Sequence, residues 1–452
     1  MDARNAAGPS MRHKHRPLQP RSRCTRASTE PARSRPALLA PAWRADFLCS
    51  INRMMIACMC RGNRTDFRKR TPHRKATVRR TRLIIPVLCI LILAMLPPGI
   101  ARSQFGREAS GEFWTLPELF ARFPQQRELS EAFTQKVVGA AMPAGPASQG
   151  PVRIAVLYPG FQSSDYWRRS IVALERRLDE IGIRYEITTQ FSLPGAEIRE
   201  QTQQIADVLK SDPDYLVFTL DALRHRVIVE RLIARGRPKV ILQNITTPLR
   251  GWGTDQPFLY AGFDHATGAM MLADRILETR PQPEKFAIFY GLKGHVSHAR
   301  AEPFRVAMLE TPGKQLVASY YVGFDRDKAR DAATALLRRH PDLGFIYSSS
   351  TDIALGVADA IEASGLAATV ATNGWGGGSA ELEDLARGRL ALTVMRMNDD
   401  NGVAIAEAIS LDVQGRGDEV PLVFSGPFAL VSSGDAPERI EELKRRAFRY
   451  SQ

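Results

Sequence analysis

A chain of 452 residues with a formal net charge of +14 invites comparison with nucleic-acid-binding proteins, but the charge sits at one end. Residues 1–103 hold 22 of the 62 Lys and Arg and 4 of the 48 Asp and Glu, leaving 40 basic and 44 acidic residues for the remainder. The basic balance belongs to the leader and makes no case for nucleic acid binding by the folded part. All five cysteines (Cys24, Cys49, Cys58, Cys60 and Cys89) lie there too, so the rest has no thiol that could pair or mispair in an oxidising compartment.

In chain order, residues 1–60 read as low-complexity Arg/Pro/Ala sequence. Arg68 to Arg82 forms a basic stretch, and Leu83 to Leu96 an apolar one of 14 residues. That length suits a secretory signal and falls short of the roughly 20 residues of a spanning helix. Ala101 and Ser103 place small residues before an expected cleavage at Gln104, so residues 1–103 are read as leader. Residues 104–150 are read as a helical segment (Trp114, Leu119, Phe120 and Phe123 at helical spacing) followed by a small-residue linker.

From Val152 onward the chain alternates. Apolar runs VRIAVLY, YLVFTL, KVILQN, FLYAGF, KFAIFY, LGFIYSS and ATVATNGW have the character of buried parallel strands, separated by amphipathic stretches of helical length. The expected fold class is α/β, two doubly wound parallel-sheet lobes. The break at Pro248–Pro257 is read as the first crossover between lobes, with others after Arg396 and near Ser425–Pro427. The lobes are then residues 151–247 plus 397–424, and 248–396 plus 425–452.

In open α/β sheets ligands collect at the carboxyl ends of strands. Polar residues cluster there: Gln162 and Ser164 with Trp167 after the first run, Asn244 after KVILQ, and Thr351 after LGFIYSS. Trp375 in NGWGGGS and Arg396 in TVMRMNDD follow, while Arg300 lies just beyond KFAIFY. Thr219 and Asp221 read as supporting groups. Arginine's planar fork suits an oxyanion, and two in one cleft are unfavourable unless an anion compensates. His295 and His298 have zinc-like spacing but no third ligand, so no metal is expected. No nucleophile–base pair appears, which argues for binding without catalysis.

The motifs SDYW, DYLVFTLD, RHR, ILQNITTP, FLYAGFDHA, STDIALG, NGWGGGSAEL and TVMRMNDD carry a resemblance that spans nearly all of the exported part. It resembles the type I periplasmic sugar-binding proteins, and among them the receptors for the quorum-sensing signal autoinducer-2. The resemblance implies two lobes joined by a multi-crossover hinge, and a periplasmic location. It implies a ligand set of Gln162, Ser164, Trp167, Asn244, Arg300, Thr351, Trp375 and Arg396. It also implies output to the periplasmic domain of a hybrid sensor kinase, with boron present only as part of the ligand and no other cofactor. Sugar binders of the family place an Asp where this chain has Trp375, a donor only, which favours acceptor-rich or anionic ligands. The rival reading is the sugar-binding component of an ABC importer. A repressor of the same fold would begin with a helix-turn-helix where this chain has a signal sequence.

Overall fold

The structure, a computed structural model, describes residues 111–144, 150–193, 198–219 and 225–452. The leader, the expected cleavage point and Asp221 lie outside the described residues. Among those described, no helix is long and apolar enough to cross a membrane.

Two six-stranded sheets organise the chain. The first contains β1 (Val152–Tyr158), β2 (Tyr185–Phe191), β3 (Tyr215–Phe218), β4 (Lys239–Gln243), β5 (Leu259–Phe263) and β11 (Val423–Gly426), in the order β11-β5-β4-β3-β1-β2, all parallel. The second contains β6 (Glu284–Tyr290), β7 (Lys314–Tyr321), β8 (Leu343–Ser348), β9 (Ala371–Gly376), β10 (Leu392–Arg396) and β12 (Phe428–Ser432). Its order is β12-β10-β9-β8-β6-β7, with only β12 antiparallel.

Helices cover both faces of each sheet, and the strand sequences show why. Along β1, Ile154, Val156 and Tyr158 enter one apolar cluster while Ala155 and Leu157 enter another on the opposite face. A strand buried on both faces needs an unbroken apolar run, which is why β1 was legible. The edge strands β2 and β7 alternate or stay half exposed, so they carry no such run. They are absent from the seven predicted strands for that reason.

The lobe boundaries need two corrections, a small one at Ser425 and Gly426, which complete β11 of the first sheet, and a larger one earlier in the chain. Residues 259–263 form β5 in the first sheet, between β4 and β11. The first crossover therefore follows Phe263 rather than falling at Pro248–Pro257, and the first lobe extends past residue 247. The loop at 248–257 instead receives the segment near the start of the described chain. Trp114 donates its N–H to the carbonyl of Pro248 at 2.8 Å, and the guanidinium of Arg250 lies 3.8 Å from the Trp114 ring. Proline and glycine there mark an excursion, not a change of lobe. The later crossovers fall between Arg396 and α11 (Asp399–Val413), which packs on α3 (Tyr166–Ile181) of the first lobe, and at Pro427 between β11 and β12.

The segment before β1 folds as α1 (Leu116–Arg122) and α2 (Pro124–Val138). A capping box between Thr115 and Glu118 starts α1. Phe133 of α2 meets Phe424 of β11 edge-on at 6.1 Å, seating the pair on the first lobe.

Candidate functional site

The carboxyl ends of the two sheets face each other across one cavity. The β1–α3 loop brings Pro159, Gln162 and Ser164, and the first turn of α3 brings Tyr166 and Trp167. Thr219 and Asn244 end β3 and β4. From the second lobe come Val296 and Arg300 on α7 (His295–Glu310), Ser350 and Thr351 at the start of α9 (Thr351–Ala363), Trp375 of β9 and Arg396 of β10. All eight residues expected at strand ends line this cavity. Tyr166, Val296, Phe324 and Ser350 were not foreseen, although Tyr166 stands inside the SDYW motif.

Asn244 is held in the left-handed backbone region at φ 73°, which asparagine tolerates better than most residues. Its carbonyl accepts the Nε2–H of His265 at 2.8 Å. Its side-chain Oδ1 accepts from Nη2 of Arg300 at 3.2 Å. Burial and the nearby positive charges of Arg300 and Arg396 hold the His265 imidazole well below its ordinary pKa, hence neutral.

The two arginines dominate the electrostatics. Arg300 is 6 % exposed and Arg396 4 %. Arg300 lies over Trp375 with Cζ 4.3 Å from the ring centre, and Arg396 lies over Tyr166 at 4.0 Å. Neither forms an ion pair with any described residue, and the Nε of each is buried without a hydrogen-bond partner. Burial, followed by the charge of Arg396, pulls the Arg300 guanidinium down to about 9. Burial lowers Arg396 as well. Two buried guanidiniums stacked on aromatic rings concentrate positive charge at the cavity.

The NGWGGGS run supports this arrangement one glycine at a time. A β-carbon on Gly374 would stand 2.4 Å from Oε2 of Glu381, and one on Gly378 would stand 2.4 Å from Oδ1 of Asp165. Gly376 and Gly377 also have positive φ, 139° and 67°. Trp375 is 1 % exposed and gives its indole N–H to the Tyr347 hydroxyl at 3.1 Å. The expectation that its N–H faces the ligand is thereby corrected, because Trp375 offers the cavity its ring.

The lobes are bridged at the cavity rim. The backbone N–H of Ser163 donates to Asp352 at 2.9 Å, and the Ser379 hydroxyl donates to Asp165 at 2.8 Å. Arg169, paired with Asp165 at 2.6 Å, also reaches the Ser379 hydroxyl at 2.9 Å. His295 hydrogen-bonds Thr247 across the lobes at 2.6 Å and stacks on Phe113 with ring centres 3.6 Å apart. His298 instead meets the Tyr321 hydroxyl at 2.7 Å. Among the described residues, no group of three or more metal-ligating side chains comes together.

Two doubly wound lobes, linked by several chain crossings, enclose one polar cavity at their strand ends. Residues 154–416 match the family model described as a periplasmic binding protein domain, and the chain belongs to that family. It is 30% identical over 169 residues to the D-allose-binding periplasmic protein of Escherichia coli (strain K12), a match covering 37% of this chain and 53% of that protein. The chain thus spans about half the length of that curated relative. Solved structures agree on the fold. An ABC transporter periplasmic solute binding protein from Actinobacillus succinogenes 130z with bound D-allose superposes with a TM-score of 0.56 at 19% identity, covering 65% of this chain and 100% of that one. The fructose binding periplasmic domain of a hybrid two component system superposes at 0.55 with 19% identity, covering 66% and 97%.

Proposed function

We propose that this chain is a LuxP-like periplasmic receptor that binds a small, oxygen-rich, negatively charged ring. The ligand on this reading is the quorum-sensing signal autoinducer-2 as its furanosyl borate diester. One observation carries it: Arg300 and Arg396 are buried in one cavity with no ion-pair partner among the described residues. A tetrahedral borate ester supplies the missing charge and several oxygens that fit a guanidinium fork. The chain binds without turnover, because the eight residues include no general base for ordinary pH. Closure is read out by the periplasmic domain of a LuxQ-like hybrid sensor kinase, a coupling for which the neighbouring structure from a hybrid two-component system is a precedent in fold.

The second reading is the sugar-binding component of an ABC importer, favoured by the D-allose-binding relative. Charge separates the two. The test is the mass of whatever co-purifies with the protein, measured under native conditions with boron isotopes resolved. A boron doublet supports the receptor reading, and a plain hexose mass supports the importer.

A further inference from the structure

We infer that Glu381 sets the hydrogen-bond polarity of the cavity, making Thr351 an acceptor and so requiring a hydroxyl donor on the ligand at that point. This deepens the binding reading above and rests on it. Glu381 lies on α10 (Ser379–Ala386) and is 0 % exposed. The Thr351 hydroxyl and the backbone N–H of Trp375 donate to its Oε1 at 2.6 and 3.1 Å. The Gly377 N–H and the Thr393 hydroxyl donate to its Oε2 at 2.8 and 2.6 Å. Four donors on two oxygens match what a carboxylate, an acceptor only, can take.

A threonine hydroxyl has one proton, and here it is committed to Glu381. What Thr351 can present to the cavity is therefore its lone pairs. Gln162 also lines the cavity and gives one of its two amide protons to the carbonyl of Pro159, so its Oε1 can accept and its second amide proton can donate. The two residues adjoin Asp352 and Ser163, which bond each other across the rim. The opposite polarity belongs to Arg300, Arg396 and the amide nitrogen of Asn244, whose oxygen Arg300 already occupies. The cavity thus has an acceptor side and a donor side, and it orients a ring with hydroxyl protons toward the first and charged or lone-pair oxygens toward the second. Glu381 is a positioning residue, since it acts through Thr351 and through the backbone of Trp375 and Gly377.

Neutron diffraction from deuterium-exchanged crystals tests this in the protein alone. The expected deuterium on Thr351 Oγ1 lies on the line to Glu381 Oε1. In a Thr393→Val background, Glu381→Gln leaves the new amide nitrogen only the Thr351 hydroxyl to donate to. The deuterium should then turn into the cavity. Calorimetric affinity for two probes, autoinducer-2 in borate buffer and D-allose, should fall about tenfold for whichever binds. Thr351→Ser should hold affinity within about threefold where Thr351→Val loses about tenfold. A wild-type deuterium aimed into the cavity, or one that stays put in the double variant, overturns the assignment. If neither probe binds, the ligand reading fails while the deuterium positions still decide the role of Glu381.

Discussion

The carboxylate of Asp165, at the start of a first-lobe helix, accepts both the hydroxyl and the backbone N–H of Ser379, at the start of a second-lobe helix, at 2.8 and 3.3 Å. Asp352 of the second lobe returns the gesture to the Ser163 N–H at 2.9 Å. Each lobe thus places a carboxylate on donors of the other, beside the positive end of a helix dipole. Closure is held partly by contacts that do not involve the ligand. Replacing Asp165 with Ala should shift the lobes toward an open form, increasing the radius of gyration in solution scattering. Ligand affinity should fall roughly five- to thirtyfold, the equivalent of 1–2 kcal/mol. Unchanged scattering and affinity would sink the latch.

Arg300→Met and Arg396→Met probe the charge argument. Each guanidinium should contribute roughly 1.5–3 kcal/mol to an anionic ligand. Either change should erase most of the preference for the borated over the borate-free signal, measured by calorimetry with borate added and removed. Melting temperature should hold or rise in the ligand-free variants, because burial disfavours both charged groups and the charge of Arg396 adds to that at Arg300. Equal wild-type affinity in both conditions would refute the borate assignment.

Trp375 is expected to serve stability and binding together, since it packs edge-on against Phe428 at 5.7 Å and beneath Arg300. Trp375→Ala should cost about 3–5 kcal/mol in unfolding free energy. Trp375→Phe keeps one aromatic ring but loses the rest of the indole and the bond to Tyr347, so a smaller loss of about 2 kcal/mol is expected. Denaturant titration separates the two outcomes, and an Ala variant with full stability would remove Trp375 from the packing.

The histidines give the ligand-free protein an acid limit. Burial, then the neighbouring His298, lowers His295 from 6.5 to about 4, and His265 is shifted in the same direction. Between those pH values the unfolded chain takes up protons that the folded protein refuses, so stability is full above about 6.5 and is lost as pH falls toward 4. The loss attributable to His295 is about 3 kcal/mol in full, of which about 2 kcal/mol falls between pH 7.5 and pH 5. His295→Gln should flatten the fall in unfolding free energy, from urea titrations at pH 7.5 and pH 5, by about 2 kcal/mol. An unchanged slope would show that His295 does not titrate as described.

How much could be read in advance divides along physical lines. Strands buried on both faces, such as β1 and β4, announce themselves as apolar runs, and the site residues at their ends follow from the topology of open α/β sheets. The α/β class, the strand-end cluster and the pair of arginines were legible in residue order alone, because each depends on residue type and local order. The folded chain was needed to place β5 in the first sheet, since strand pairing is a non-local choice that proline and glycine in the preceding loop do not report. It alone turned the Trp375 N–H toward Tyr347 and brought Glu381 under Thr351. Hydrogen-bond direction depends on which groups meet after folding, and residues thirty positions apart meet only when their strands and helices have packed.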